Sequence, residues 1–292
     1  MSSEDAPSTW SGVDIAVPPP AHRLPGVSMA GFRQALPAPV DIAMVAHPSV
    51  TLLIDLSGED GLVYGTGARR GRGSVVIGLA PGALRASGLV GECLQIRLRP
   101  AVAAAVLGSP ADAGAESLAD VWGLDTGRFE ERLRTAGSWD ERFAMATDLV
   151  RRRIGDGGPR VDPEVAYIWR RIVAGGGRVR VDSLADEVGW SRKRLWARFR
   201  AQLGPTPKRA ARLVRFDHAA HLLAAGLPPA GVAAESGYVD QSHLHRETKA
   251  FTGLTPTAVA AAPWLAIDDI AWPDLWRAGR PVPRSARGSG RR

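Results

Sequence analysis

The chain has 292 residues, of which 45% are hydrophobic and 23% are charged. This length fits two domains of roughly 150 residues, and the apolar content excludes a fully disordered or a collagen-like chain. Residues 1–150 carry 12 basic and 17 acidic side chains, a net charge of −5. Residues 151–292 carry 25 and 13, a net charge of +12. The basic half indicates a nucleic-acid or anionic-membrane partner.

Cysteine content and the absence of signal patterns favour a cytoplasmic protein. Cys93 is the only cysteine, which excludes an intrachain disulfide or a cysteine-rich zinc site. The first seven residues include Glu4 and Asp5 but no basic residue, so we expect no secretory signal. The longest uncharged run, residues 250–267, is interrupted by glycine and prolines, and we therefore expect no membrane span.

The N-terminal half reads as strands followed by helices. Residues 1–25 are rich in proline and serine and predict a flexible arm or an edge extension. Residues 26–154 form the next predicted domain, a small β-sheet or barrel with following helices. Its predicted strands are 50–56, 62–64, 74–79 and 94–99, and its predicted helices are 101–107, 116–122, 128–135 and 139–153.

The C-terminal half begins after a glycine-rich linker at residues 155–159 and contains an internal repeat. Each copy predicts a short helix, a glycine-aromatic turn and a longer helix, which is the pattern of a helix-turn-helix. The turn glycines Gly189 and Gly237 are 48 residues apart. Between the copies, a helix is expected from Pro207 to about Ala225, with Thr206 as its N-cap.

Helical geometry divides each longer helix into a core side and an outer side. Leu195 and Phe199 share the core side in the first copy, and Leu244, Thr248 and Phe251 share it in the second. The outer sides carry polar and basic residues that can contact phosphates or base edges. The predicted DNA-binding residues are Arg192, Lys193, Arg194, Trp196, Arg200, Gln241, Ser242, His243, His245, Arg246 and Lys249.

Residues 160–262 resemble the double helix-turn-helix domain of AraC/XylS-type transcriptional regulators. The resemblance is carried by Gly237-Tyr238-Val239-Asp240-Gln241-Ser242-His243-Leu244-His245-Arg246 and by Lys249-Ala250-Phe251-Thr252-Gly253-Leu254-Thr255-Pro256. It implies a bacterial, nucleoid-associated regulator, in most members an activator, that binds double-stranded promoter DNA and RNA polymerase. Two positions depart from the pattern: Thr248 stands where the family usually has phenylalanine, and Ala197 where many members have a long polar residue.

The N-terminal half is similar to the sensor-type domain of some of these regulators. The similarity is carried by residues 31–37, 48–52, 96–100 and 118–123. It implies binding of an unidentified small-molecule effector, formation of a homodimer, or both. The predicted fold is therefore α+β: a sheet with following helices, an all-α domain with two helix-turn-helix motifs joined by a linker helix, and a basic disordered tail at residues 273–292.

Two other classes of protein remain as alternatives. An enzyme could be tethered to a DNA-binding module, but a DNA-repair version needs several cysteines, and the sequence contains neither a phosphate-binding loop nor a GxSxG motif. We therefore predict no catalytic residue, cofactor or metal; a metal at His218 and His221 is disfavoured against surface or packing roles. An architectural module that binds DNA without sequence preference is the other alternative.

Overall fold

The computed structural model describes residues 13–58, 61–66, 69–79, 82–108, 114–262, 265 and 268–272. The N-terminal half contains one antiparallel sheet with the strand order β1-β2-β7-β3-β6-β8, and β4 pairs with β5 and β7. The strands are β1 Val13–Ala16, β2 Val27–Ala43, β3 Val50–Asp55, β4 Val63–Thr66, β5 Arg69–Arg72, β6 Val75–Ile77, β7 Arg85–Leu98 and β8 Ala115–Ser117.

The long pair formed by β2 and β7 is the centre of the sheet, and the sequence pattern predicted only the second half of β7. Strand β2 was not predicted because glycine and two prolines interrupt its apolar residues. The pairing with β7 shifts register between Arg33 and Ala38, where Pro37 lies. A bulge accommodates a proline that cannot donate to the ladder, so the strand continues through it. Strand β1 pairs with β2, as in the edge-extension alternative for residues 1–25.

The sheet has two apolar faces, and successive residues of its strands alternate between them. Leu52 and Ile54 of β3 belong to the face that packs on the helices, which we call the outer face. Leu53, between them, belongs to a second cluster on the inner face, supplied mainly by the strands themselves. This alternation follows from the two-residue period of a strand. Among the described residues, the two strands at the ends of this order, β1 and β8, do not pair with each other, so the sheet does not close into a barrel.

Helices cover the outer face and form all of the described C-terminal half up to residue 262. Two N-caps expected from sequence patterns accept backbone hydrogen bonds: Ser138 from Glu141 and Thr206 from Arg209. The α+β prediction is confirmed. The helices are α1 Pro100–Leu107, α2 Leu118–Trp122, α3 Asp125–Thr135, α4 Trp139–Gly155, α5 Pro163–Ala174, α6 Val181–Glu187, α7 Arg192–Leu203, α8 Pro207–Ala224, α9 Pro229–Glu235, α10 Gln241–Thr252, α11 Pro256–Ala260 and α12 Asp268–Ala271.

The two halves share one apolar core. The outer-face cluster extends from the sheet through α1 and α4 to α5, α7 and α8. The glycine-rich linker packs closely, since a Cβ on Gly158 would lie 2.7 Å from the carbonyl oxygen of Ala105 in α1. No helix among the described residues is both long and apolar enough to cross a membrane. The predicted tail, residues 273–292, lies outside the described residues.

Candidate nucleic-acid interface

The two sequence repeats fold into two modules of the same design, α6–α7 and α9–α10. The turn between the helices contains Gly189 with φ of +65° in the first module and Gly237 with φ of +74° in the second. The aromatic residue that follows closes both turns: the Trp190 amide donates to Ala185 (3.0 Å), and the Tyr238 amide donates to Ala233 (2.8 Å). A side chain would strain this backbone, which explains the glycine in each repeat.

Capping residues fix where each longer helix begins. The Ser191 hydroxyl accepts from the Arg194 amide at 3.2 Å in the first module. The Asp240 carboxylate accepts from the His243 amide at 2.6 Å in the second. Because α7 and α10 begin at these caps, residues 192–194 and 241–243 form the first turns of the two helices.

The core side of each longer helix is as the helical period predicted. Leu195, Phe199 and Leu244 are fully buried. Thr248 is also fully buried, and its hydroxyl donates to the Leu244 carbonyl at 2.8 Å. The hydroxyl of the threonine is therefore satisfied within the helix. Phe251, one turn later, stacks on Phe216 of α8 with ring centroids 5.1 Å apart, so aromatic packing persists beside the unusual threonine.

In the first module, three predicted DNA-binding residues are free for an external partner. Lys193, Trp196 and Arg200 are exposed, and their side chains have no hydrogen bond or ion pair with any described residue. Two others are engaged at the protein surface. Arg192 pairs with Asp182 at 3.2 Å, and the Arg194 guanidinium lies 4.5 Å from the Trp190 ring centroid. Both remain exposed.

Arg198, on the same helix, is held by the protein. Both of its hydrogen bonds to the Asp162 carboxylate are 2.8 Å long, and they tie α7 to the start of α5. Partial burial of Asp162 opposes ionisation, but hydrogen bonds from Arg198 and Gln202 lower the pKa of this carboxyl. Arg198 therefore holds α7 against the start of α5. Among the described residues, Lys193 and Arg200 have no partner, and Arg194 contacts the Trp190 ring without an ion pair.

The outer side of α10 is more open. The side chains of Gln241, Ser242, His245, Arg246 and Lys249 are exposed and have no partner among the described residues. His243 differs, because its half-buried ring meets Tyr238 edge-on with centroids 5.2 Å apart. The helix thus presents two cations, an amide, a hydroxyl and one imidazole to solvent, a set that can bind phosphates and base edges.

Sequence reasoning missed Glu247, which orients α10 against the linker helix α8. Its side chain is 2% exposed and binds Arg212 and Arg215, the latter through Nη2 at 3.0 Å. The Arg215 guanidinium also lies 4.7 Å from the ring centroid of Tyr238. The sequence could have indicated this buried carboxylate, because a residue three positions after Leu244 lies next to the core side of the helix.

Val239 was also missed. It is 87% exposed in the turn immediately before α10, although valine is an apolar residue. Val239 lies two residues before Gln241, the first residue of α10, at the end of the helix where base contacts are expected. An exposed apolar residue at this position can contact a thymine methyl group.

A polar cluster between the halves holds the linker helix on the sheet. The Asp268 carboxylate of α12 binds Arg97 of β7 at 3.1 Å and His221 of α8 at 3.2 Å. His47, after β2, lies 3.7 Å from Asp217 of α8. The loop after β2, through His47, and helix α12, through Asp268, therefore both contact α8, the helix that connects the two modules.

The charges in this cluster shift one another's protonation. Burial raises the pKa of Asp268, but Arg97 and His221 outweigh it and hold that pKa well below its usual range. Burial lowers the pKa of His221, but the Asp268 and Asp217 carboxylates outweigh it and raise that pKa. Burial and Arg97 lower the pKa of His47 well below its usual value. At neutral pH, the Asp268 carboxylate is therefore ionised and His47 is neutral.

Comparisons with known proteins agree with this architecture. A family described as a helix-turn-helix domain matches residues 184–262. An uncharacterized HTH-type transcriptional regulator of Bacillus subtilis, YbfI, is 36% identical over 66 residues. This match covers 23% of the present chain and 24% of the relative, so it spans about a quarter of each.

Two solved structures are similar in part. ToxT from Vibrio cholerae O395 is 9% identical, with a TM-score of 0.47, and the match covers 82% of this chain and 98% of ToxT. The C-terminal domain of AraT, a response regulator from Geobacillus stearothermophilus, is 23% identical, with a TM-score of 0.33 over 35% of this chain and 88% of that domain. The family match confirms the helix-turn-helix domain that the sequence predicted, and the C-terminal half of this chain carries it over residues 184–262.

Proposed function

We propose that the protein is a sequence-specific, DNA-binding transcriptional regulator that reads DNA with α7 and α10. One observation carries the proposal. Two modules of the same design each expose a helix side that carries polar residues without a partner among the described residues, among them Arg200 on α7 and Arg246 on α10, although other charged side chains of the domain are paired. Unpaired cations and amides on a capped helix are what phosphate and base-edge recognition requires.

The linker helix supports simultaneous reading by both modules. Helix α8 has 18 residues, which at about 1.5 Å each span about 27 Å. Two helices held near this separation can enter successive major grooves on one face of B-DNA, roughly 34 Å apart. Buried contacts with the second module, from Phe216 to Phe251 and from Arg215 to Glu247, fix α10 on α8.

The side chains divide into two proposed roles. Gln241, Arg246, Lys193 and Trp196 contact bases, and Val239 adds an apolar contact. The remaining predicted residues contact phosphates and give affinity that falls as salt rises. They are Arg192, Arg194, Arg200, Ser242, His243, His245 and Lys249.

The experiment that tests this function is selection from random duplexes with the full-length protein, followed by salt titration of the enriched sequences. We expect a motif with two half-elements about one DNA turn apart. Replacing Gln241 and Arg246 together by alanine should cost about 2–6 kcal/mol of binding free energy, at about 1–3 kcal/mol per base contact, and abolish preference at one half-element. Steep salt dependence without an enriched motif would indicate an architectural protein instead.

A matched control is Arg151→Ala. Arg151 is 57% exposed on α4 in the N-terminal half and pairs only with Asp148 among the described residues, at 2.8 Å. It removes one cation without touching either module. We expect sequence preference to be unchanged in this variant and affinity to change little.

We further propose that the N-terminal half regulates the modules as a one-component sensor in a bacterial cytoplasm, where the protein would meet the nucleoid and RNA polymerase. Two cavities support binding of a small molecule: one of about 50 Å³ on the inner face of the sheet and one of about 150 Å³ between residues 17–29 and Trp272. Dimerisation through this half would present two pairs of reading helices. Sedimentation with and without DNA distinguishes a monomer from a homodimer.

A further inference from the structure

The inner face of the sheet buries a side chain that comes after the DNA-binding domain in the sequence. Trp272, immediately after α12, is 1% exposed and belongs to the inner-face cluster with Ala30, Phe32 and Leu53. Its ring stacks on the Arg97 guanidinium, whose central carbon lies 4.0 Å from the ring centroid. The sheet thus holds an indole in a site built from its own strands, although Trp272 belongs to a segment beyond the DNA-binding domain.

Empty space lies beside this indole, since Trp272 lines the cavity of about 150 Å³. Residues 93, 95 and 97 of β7 alternate onto the inner face, and Arg99 follows the end of the strand. Cys93 and Gln95 line the cavity of about 50 Å³, whereas Arg99 lines the cavity of about 150 Å³ together with Trp272. Arg97 lies between them along the strand, under the ring. Removing the ring would therefore enlarge the cavity of about 150 Å³.

The charges around the larger cavity define what it can bind. The described residues that line it include the cations Arg23 and Arg99 and no acidic residue. Arg97 adds Nε and Nη1, which are buried and have no hydrogen-bond partner among the described residues. Buried donors without an acceptor are costly, and guanidinium groups bind both aromatic faces and carboxylates. The site combines a stacking surface, apolar walls and unused donors.

The indole is connected mechanically to the linker helix. Helix α12 is a single turn in which the Trp272 amide donates to the Asp268 carbonyl at 2.9 Å. The Asp268 side chain binds His221 of α8. A ring that leaves the site would therefore carry Asp268 away from the helix that spaces the two modules. We call residues 268–272 the strap.

We propose that the inner face is a binding site for a planar aromatic acid, that Trp272 occupies it as a tethered ligand, and that a competing acid releases the strap from α8. The regulatory step rests on the proposed function, whereas the binding step does not. Competition with a tethered group lowers the apparent affinity of the free ligand, because the tether gives the indole a high effective concentration.

The first test measures indole binding to the full-length protein by calorimetry, without DNA. Trp272→Ala should bind indole about tenfold or more tightly than the wild type, since the tethered ring no longer competes. The matched control is Trp122→Ala, which also removes a buried indole that stacks on an arginine, Arg153, with a separation of 4.4 Å. Equal indole affinity in the two variants, or none in folded Trp272→Ala, would overturn the site.

A second set of variants keeps the tryptophan and so avoids opening the core. Asp268→Asn weakens the strap and should increase the affinity for indole-3-acetate above that of the wild type. Arg99→Gln should weaken binding of indole-3-acetate but not of indole, because only the former has a carboxylate. Identical loss for both probes would show that Arg99 does not bind the carboxylate, and unchanged affinity in Asp268→Asn would overturn the coupling of the strap to the site.

The regulatory step is tested by fluorescence anisotropy on a selected duplex. Saturating indole-3-acetate should change the DNA affinity of the wild type by a factor of about five or more, within the usual range of allosteric coupling. It should leave Trp272→Ala unaffected, because no ring remains to be displaced. A response that is equal in both proteins would overturn this step. If no duplex is bound by any variant, the proposed function fails, while calorimetry still decides the site.

Discussion

Replacing Glu247 by glutamine tests whether a single buried carboxylate fixes the orientation of the second reading helix. Breaking a buried ion pair by removing one partner costs about 3–5 kcal/mol, because the remaining charge stays buried without a counter-charge. The Arg212 side chain is 43% exposed and can turn to water, whereas Arg215 is 18% exposed and held against Tyr238. We therefore expect a loss near the lower end, about 3 kcal/mol of unfolding free energy.

Two measurements separate orientation from stability. Urea unfolding of the full chain gives the stability change, and anisotropy with the selected duplex gives the binding change. Because α10 depends on Glu247 and α7 does not, base preference should weaken at only one half-element. Adding Arg215→Met to Glu247→Gln removes the stranded charge and should restore part of the stability.

The control is Glu187→Gln, which removes a carboxylate that binds Arg171 and Tyr167 between α5 and α6, away from α10. This exposed group should contribute little to stability, and the preference at the α10 half-element should stay intact. The reasoning would be refuted if Glu247→Gln unfolded at the wild-type urea concentration and kept full preference at both half-elements. It would equally be refuted if the double variant were less stable than Glu247→Gln.

Three further predictions concern pH, the linker helix and the cysteine. The raised pKa of His221 gives stability that is complete below its unfolded value of 6.5 and is lost as pH rises through the folded value, whereas the lowered pKa of His47 makes stability fall as pH drops below 6.5. Urea unfolding across pH 5–9 should therefore show a maximum near neutrality, with the alkaline slope reduced in His221→Gln and the acid slope in His47→Gln; unchanged slopes would contradict these assignments. Gly177→Ala should destabilise the protein by more than about 2 kcal/mol, since its φ is +70° and a Cβ would collide with the Ala211 carbonyl and lie 2.7 Å from the Arg215 amide. Gly176→Ala, with φ of +57° and open space, should cost only the conformational strain of about 1–2 kcal/mol, and equal thermal shifts would disprove the close contact with α8. Burial raises the pKa of the Cys93 thiol to about 12, so alkylation by iodoacetamide at pH 8 should be slow until urea unfolds the chain, and rapid modification of the native protein would refute the burial.

The duplicated modules could be predicted almost completely from the sequence because their determinants are local. A glycine with positive φ, an N-cap and an apolar pair one turn apart lie within about twenty residues of one another in each copy. The linker helix likewise ends at Ala224, one residue from the predicted end. The outer sides of α7 and α10 follow from helical period alone, and the structure leaves their polar residues exposed.

The N-terminal sheet was predicted only in part because its pairings join distant residues. Strand β2 is irregular as a sequence, and its extended form is stabilised by hydrogen bonds to β7, 42–71 residues later. Sequence period could not show that Leu52 and Leu53 face different cores, since both faces of the sheet are apolar and the run reads as continuous.

The sequence by itself determined the repeat, its caps, its turns and the identity of the outward side chains, because each depends on neighbours within one or two helical turns. Only the tertiary structure decided which charged side chains form ion pairs within the protein. Glu247 meets Arg215 across 32 residues, Arg198 meets Asp162 across 36, and Arg97 meets Asp268 across 171. Pairings at such separations depend on the packing of whole helices and strands, and no local pattern encodes them.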